Sequence, residues 1–509
     1  MEVPAGGGES MEVDATMNGH GLPASSSRGL TRGEKGAILL GAFAFAVLIL
    51  QSLVGHGTAH AAGHGAADHV PSLWSVLPFA GLLLSIALLP LIPATTHWWE
   101  SNKNRLAVAL AFGAITLVYY AFAFGVEKIR PVLTHALVDE YIPFIMLLFA
   151  LYVISGGIRL SGDIAAHPAT NTTFLGVGAL AASFLGTTGA SMLLIRPLLQ
   201  TNVERKYKVH TVVFFIFLVS NIGGTLLPIG DPPLFLGYLR GVPFLWTFGL
   251  WKEWALVCGV LLGVYYVWDS WAYRRETLRD LILDETQKTP LRLTGKINLL
   301  WLLGVVLSVA LIKPGEPLPL LGFTAFPFMR ELAMLVFVAL SLKCGDPRIR
   351  AANGFNYHAI LEVAALFIGI FICMQAPIEI LRGSGETLAK VLKSPTHFFW
   401  ATGALSSFLD NAPTYVVFFE TAETLTPAGA EHAVRLLDGG AVDLMMLTAV
   451  SLGAVFMGAM TYIGNAPNFM VKSIAEQSGV KMPSFFGYML YSCGLLLPLF
   501  FLVTLIFLH

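Results

Sequence analysis

Eleven predominantly apolar runs recur along the chain, most of them about 17 to 25 residues, the length that crosses the hydrocarbon core of a bilayer as a helix. They fall at 36–55, 73–94, 105–125, 141–160, 209–238, 246–268, 297–313, 328–343, 358–376, 441–475 and 484–508. Lipid offers no water to satisfy peptide groups, so a chain of this pattern is confined to helices whose hydrogen bonds close within each segment. A composition of 55% hydrophobic and 12% charged residues, with mean hydropathy +0.70, excludes a soluble multidomain protein. The expected fold class is an all-α polytopic membrane protein. Net charge is −1, without a basic block, which argues against a nucleic-acid partner and leaves membrane lipid as the main surroundings. The four cysteines (Cys258, Cys344, Cys373, Cys493) stand singly, without metal or disulfide spacing, and read as packing residues.

Two of the runs, 209–238 and 441–475, are too long and too interrupted for simple helices. Two further apolar stretches, 172–200 and 394–420, break in the middle and read as re-entrant hairpins. The positive-inside rule places about two thirds of the 31 lysines and arginines in the cytoplasm if residues 1–35 start there. The loop "RRETLRDLILDETQKTPLRLTGK" alone carries six of them. That orientation puts the carboxyl terminus outside, the first hairpin opening inward and the second outward. Spans, hairpin and broken helix follow in the same order at 73–268 and at 297–509, joined by a cytoplasmic linker at 269–296. An odd number of full spans in each half makes the second half an inverted copy of the first. Inverted repeats with discontinuous helices are the build of secondary transporters, whose sites lie where the breaks meet.

The breaks carry the chemistry. The first half has "LGTTGASMLLIRP" (Thr187, Thr188, Gly189, Ser191) and "SNIGGTLLPIGDPP" (Ser220, Asn221, Gly223, Gly224, Thr225, Asp231). The second has "FLDNAPTYVVFF" (Asp410, Asn411, Pro413, Thr414) and "MTYIGNAPNFM" (Thr461, Gly464, Asn465, Pro467, Asn468). Hydroxyl, amide and carboxylate oxygens of this kind suit Na⁺ and hydrogen-bonding substrates. Glycine admits close backbone approach and proline ends the half-helix.

Through "GTTGASMLLIRP", "VSNIGGTLLPIGDPPLFLG", "EVAALFIGIF", "FLDNAPTYVVF" and "YIGNAPNFMV", the chain beyond about residue 70 resembles the ion transporter superfamily. That superfamily contains NhaD-type sodium/proton antiporters, citrate carriers, divalent-anion/sodium symporters and arsenite permeases. The resemblance is to the bacterial branch labelled sodium/proton antiporter or citrate transporter, and it implies a secondary carrier. Relatives are commonly dimers built on the outer helices of each half, so the resemblance implies a homodimer. The "DNAPT" tip is nearer to the antiporter and arsenite branches.

An acid retained inside a span is a functional candidate by default, because inserting one costs about 2.5–3.5 kcal/mol. Asp410, at a hairpin tip, is the first choice for a carboxylate that holds Na⁺ and H⁺ in turn, with Asn221 and Asn465 completing a Na⁺ site; the alternative role is a cap on the following helix. Asp231 before Pro-Pro and Glu362 early in a span follow, against a turn residue and an interfacial acid. Arg196 reads as snorkelling to the cytoplasmic face rather than facing an anion.

The tail 1–35 is Gly/Ser-rich and polar, as in disordered segments. Residues 36–72 read either as a first span with an outer loop bearing His56, His60, His64 and His69, or as a cleaved signal peptide. Trp98, Trp99, Trp251 and Trp254 sit near span ends, as interfacial anchors do. No Walker loop and no catalytic His/Ser/Asp set is legible, so the expectation is a non-enzymatic carrier of the cytoplasmic membrane driven by ion gradients. No cofactor is expected beyond Na⁺ and H⁺ as transported or coupling ions. Na⁺/H⁺ antiport is the first reading, cation-coupled transport of citrate or another carboxylate the alternative, and an arsenite-permease-like carrier the third.

Overall fold

The computed structural model describes residues 70–508, apart from 91, 287, 314, 319–321, 384–386, 388, 389, 428 and 438. The tail, the first apolar run at 36–55 and the four outer-loop histidines lie outside the described residues.

The described chain is mostly helical. Helix α1 (Leu77–Leu88) is followed by α2 (Asn102–Phe124) and α3 (Ile142–Ser155), the last entered through a π-helical stretch, Thr134–Tyr141. Next come α4 (Pro168–Leu185) and α5 (Thr187–Thr201), joined by the single residue Gly186, and then α6 (Val209–Leu218), a short turn, and α7 (Pro232–Leu239). Helix α8 (Trp251–Tyr273) closes this set. The order then runs again: α9 (Ile297–Leu311), α10 (Met329–Cys344), α11 (His358–Cys373), a paired α12 (Pro395–Ser406) and α13 (Asn411–Leu425), a broken α14 (Leu444–Met457) and α15 (Ala466–Gln477), and α16 (Phe485–Phe507).

Among the described residues, five helical stretches are long and apolar enough to cross a membrane: Asn102–Phe124, Val126–Ser155, Trp246–Tyr273, His358–Gly383 and Phe485–Phe507. Leu73–Leu88, Val209–Thr225, Ile297–Leu311 and Leu444–Met460 are apolar but shorter. The fourth run starts earlier than its hydropathy suggests, because the polar turn at 134–141 stays helical by widening to π geometry rather than breaking. Helix α10 begins with the buried pair Arg330 and Glu331, whose charges cut its hydropathy.

The fold is not wholly α. Strand β1 (Arg159–Asp163) pairs antiparallel with β2 (Thr289–Thr294), so the segment expected as a plain linker is tied to the chain between α3 and α4. A second ribbon joins β3 (Ala433–Arg435) to β4 (Ala441–Asp443) in the segment after α13. Both ribbons lie between apolar helices, where hydropathy windows average out short alternating pairs.

Close helix packing uses small residues, as it does where burial in lipid-like surroundings gives little hydrophobic drive. On α11, Gly369 lies so near α2 that an added Cβ would stand 2.6 Å from the Ala109 carbonyl. On α14, Gly453 does the same to the Phe399 carbonyl of α12. The broken helices occupy the interior: nine of the residues of α6 are buried, from His210 to Leu218, and α14 is buried from Leu447 to Met457. Their free peptide groups are thus surrounded by protein, which is the condition for irregular backbone at membrane depth. Trp98 and Trp251 are exposed, in keeping with anchors, but Trp99 packs inside at 3% exposure, because it sits on the inner side of a one-turn helix. Cys258 and Cys373 are buried, whereas Cys344 is exposed at the end of α10 and does not pack.

Candidate functional site

Each broken helix restarts at an extended residue followed by proline. Asp231 (φ −142°, ψ 141°) precedes Pro232 and Pro233 at the start of α7, and Asn465 (φ −151°, ψ 139°) precedes Ala466 and Pro467 at the start of α15. Proline suits the first helical turn because its missing N–H has no partner there in any case. An Asp or Asn in this place ordinarily caps its own helix. Neither does so: both side chains are released from capping and point across to other elements.

They meet. One carboxylate oxygen of Asp231 accepts from Thr187 Oγ1 at 2.8 Å and Asn465 Nδ2 at 3.2 Å, and the other accepts from Asn411 Nδ2 at 2.6 Å. Thr187 is the first residue of α5 and Asn411 the first of α13. The starts of four helices, α5, α7, α13 and α15, therefore converge on one carboxylate that is 1% exposed. Helix N-termini carry partial positive charge and free N–H groups, so this convergence is a setting for negative charge.

A second tier of amides backs the first. Asn465 Nδ2 also reaches Asn221 Oδ1 at 3.2 Å and the Ser220 carbonyl at 3.3 Å. Asn221 donates to Asn468 Oδ1 at 2.7 Å and to the Ile216 carbonyl at 2.8 Å, satisfying a group freed by the end of α6. Asn468 donates to the carbonyls of Gly458 and Thr461 at 2.8 and 2.9 Å, doing the same for α14. Ser191 and Ser220 share a hydroxyl contact of 2.8 Å. The Asn411 Oδ1 is buried with no hydrogen-bond partner.

The glycines leave room for this. A Cβ on Gly223 would stand 2.5 Å from the carbonyls of both Ala179 and Leu218, and one on Gly224 would meet Thr187 at 2.7 Å. Gly186 turns the first hairpin at φ +75°, a conformation that costs other residues a steric penalty. Thr187 N donates to the Gly230 carbonyl at 2.8 Å, fixing the hairpin tip to the break.

The structure thus brings together Thr187, Ser191, Ser220, Asn221, Gly223, Gly224, Asp231, Asn411, Asn465 and Asn468. Thr461 is buried nearby, with its hydroxyl on the Ser407 carbonyl at 2.5 Å. Asp410 is placed differently from Asp231: it caps α13, accepting from Ala412 N at 3.0 Å, and is only partly buried. Thr414 donates to the Asp410 carbonyl at 3.0 Å. Of the expected Na⁺ set, Asn221 and Asn465 touch, while the Asp410 carboxylate is engaged with its own helix. Thr188 is half-buried on α5 beside the tip. Glu362 stands apart, paired at 3.0 Å with Arg105 of α2. Arg196 is exposed on α5.

Two residues were missed by the sequence reading. Ser183 donates to the Gly223 carbonyl at 2.6 Å and accepts from Leu226 N at 3.1 Å. Ser407 supplies the carbonyl that holds Thr461. Each lies three residues before its hairpin turn, and that matched spacing in "SFLG" and "SFLD" is the signal that would have found them.

The donors around Asp231 are oxygens and neutral amides, suited to a hard cation or a hydrogen-bonding substrate rather than a transition metal. Among the described residues no group of three His, Cys, Asp or Glu side chains could hold a metal ion. No curated protein matches the chain. A family model described as "Putative citrate transport" matches residues 67–508, so it takes in both helix pairs and both breaks, and the chain belongs to that family.

Proposed function

We propose that the protein is a secondary carrier of the cytoplasmic membrane that moves citrate or a related carboxylate together with a cation. The observation that carries this reading is the convergence of four helix N-termini on one buried centre. Such a centre favours anionic oxygen, and membership of the citrate transport family supports a carboxylate as cargo. Asp231 occupies part of that field itself. A cation beside it, facing the Asn411 and Asn221 amide oxygens and the Ser220 carbonyl, offsets the repulsion between its charge and an incoming carboxylate. Substrate and cation then bind better together than apart, which is the basis of coupling.

In this reading α4–α5 and α12–α13 are re-entrant hairpins of an inverted repeat, with the carboxyl terminus outside and a homodimer formed on the outer helices. Ten further spans follow the first apolar run, and movement of the site-bearing helices alternates access.

Na⁺/H⁺ exchange is the second reading, and one observation favours it: the side-chain partners of Asp231 are all neutral, so its charge is available to a proton or Na⁺ in turn. Purified protein in proteoliposomes separates the two. Labelled citrate and succinate are offered under Na⁺ or pH gradients, and an internal pH dye follows Na⁺, Li⁺ and K⁺ additions without carboxylate. Gradient-dependent carboxylate uptake is expected. Na⁺-driven proton movement with no carboxylate uptake would replace the proposal by antiport.

A further inference from the structure

Away from the site, four charged side chains form an alternating chain. Arg240 pairs with Glu140 and, through Nε at 3.1 Å, with Glu420, and Glu420 pairs in turn with Arg382 at 2.9 Å. Glu140, Arg240 and Glu420 have side chains 5%, 12% and 3% exposed, whereas that of Arg382 is half exposed. A cavity of about 140 Å³ lies against them, lined also by His135, Asp139 and Glu423.

The four charges belong to two pairs of helices. Arg240 follows α7, which begins at Asp231, and Glu420 lies on α13, which begins at Asn411. These two helices run side by side from the site, with Gly237 of α7 leaving room for Tyr415 of α13. They are bonded at one end by Asn411 to Asp231 and near the other by Arg240 to Glu420. Glu140 and Arg382 stand instead on the two long stretches Val126–Ser155 and His358–Gly383. Those are fastened together by Phe144 stacked on Phe367 at 4.9 Å, by Phe144 and Tyr141 against Phe371, and by the Tyr141 hydroxyl on the Ala364 carbonyl at 2.9 Å. The Arg240–Glu140 and Glu420–Arg382 pairs join one helix pair to the other.

The other hairpin lacks the counterpart. Arg196 lies ten residues beyond the turn at Gly186, as Glu420 lies ten beyond Asp410, yet Arg196 is exposed and has no ion-pair partner among the described residues. A buried ion pair adds little stability over apolar packing, and charged groups retained within membrane spans mark functional elements.

We propose that Glu140–Arg240–Glu420–Arg382 is a latch that holds the site-bearing helices α7 and α13 against the two long spans, and that Arg240 is the positioning residue that lets go of Glu140 when the site opens on that face. With lysine- and arginine-rich loops inside, that face is the outer one. Arg240 keeps Glu420 as a partner when Glu140 is released, Glu140 keeps the Gln375 amide at 3.3 Å and the His135 ring at 3.9 Å, and the cavity gives the freed side chains room to turn. The latch deepens the carrier reading and rests on it for its role in transport.

The test is hydrogen–deuterium exchange on the full chain in detergent, with Glu140→Gln, Arg382→Gln and Glu140→Asp beside wild type. Glu140→Gln and Arg382→Gln are expected to speed exchange about tenfold in peptides from 232–240 and 412–425, leaving 209–218 and 444–457 unchanged, because local opening is governed by the contacts of the opening unit. Glu140→Asp, which keeps the charge, is expected to restore most of the protection. In proteoliposomes, Glu140→Gln is expected to change the maximal citrate uptake rate by about threefold or more while KM stays within about twofold. Unchanged exchange in both Gln variants overturns the latch, as does acceleration spread evenly over the whole chain. Wild-type vesicles that move no carboxylate would refute the carboxylate reading instead, and the exchange comparison would still decide the latch.

Discussion

Asp231 and Asp410 are both acids at the start of a helix in the interior, and they differ in what their oxygens do. Asp410 gives its carboxylate to Ala412 N of its own helix, while Asp231 receives hydroxyl and amide donors from three other elements. Replacing Asp231 by Asn keeps the shape but turns one acceptor oxygen into an NH2 donor, which confronts either the Asn411 amide or the Thr187 and Asn465 donors with a donor of its own. Leaving buried partners unsatisfied costs about 1–3 kcal/mol, so transport by Asp231→Asn is expected to fall by about 10- to 100-fold, measured as initial uptake at equal protein abundance. Asp410→Asn retains a capping oxygen and is expected to keep transport within about threefold of wild type, since Asn caps as well as Asp. The reverse ranking would return the coupling role to Asp410. Sequence alone favours Asp410 because Asp before Pro-Pro looks like a turn residue. The direction in which its side chain leaves the backbone depends on Asn411 and Asn465, far away in the chain. Glu362 shows the same limit: its partner Arg105 lies on another helix, and no local pattern announces the pair.

At the scale of elements, the breaks were legible because Asn, Gly and Pro cannot serve a continuous apolar helix. Both turns, Ile222–Thr225 and Gly458–Met460, fall within the interrupted runs. The ribbons were not legible, since β1 and β2 are separated by more than a hundred residues and each is too short to show a period. The break between α6 and α7 admits a direct test. Alanine at Gly223 brings a methyl to 2.5 Å from two backbone carbonyls, neither of which is the end of a flexible side chain. Overpacking of this kind costs about 1–3 kcal/mol, and the turn must shift away from Ala179 and Leu218. Gly223→Ala is expected to insert at near-normal abundance and to lose most uptake. Alanine at Gly249, where a Cβ meets nothing within 4 Å, is the matched control and should transport normally. Full activity in Gly223→Ala would separate the close backbone approach from function.

At the scale of the whole molecule, the repeated helix order gives no orientation by itself, because the helices carry no label for inside or outside. Orientation rests on the charges between them. The segment 274–296 holds six of the basic residues, and in the structure it forms a helix, Leu278–Thr286, and strand β2 paired to the chain after α3. The segment with β3 and β4 follows the second hairpin and sits beside Arg240, whose carbonyl accepts from Leu437 N at 3.1 Å. If the repeat is inverted, these two segments face opposite sides of the membrane. In a protein freed of its native cysteines, a cysteine replacing the exposed Leu278 is expected to resist an impermeant thiol reagent in intact cells, and one replacing the exposed Leu437 to react. Permeabilisation should make Leu278→Cys react and leave Leu437→Cys unchanged. Reaction at both sites in intact cells would place the linker and the second hairpin's opening on one side. That arrangement is incompatible with an inverted repeat, and it would move the latch at Arg240 to the same face as Arg196.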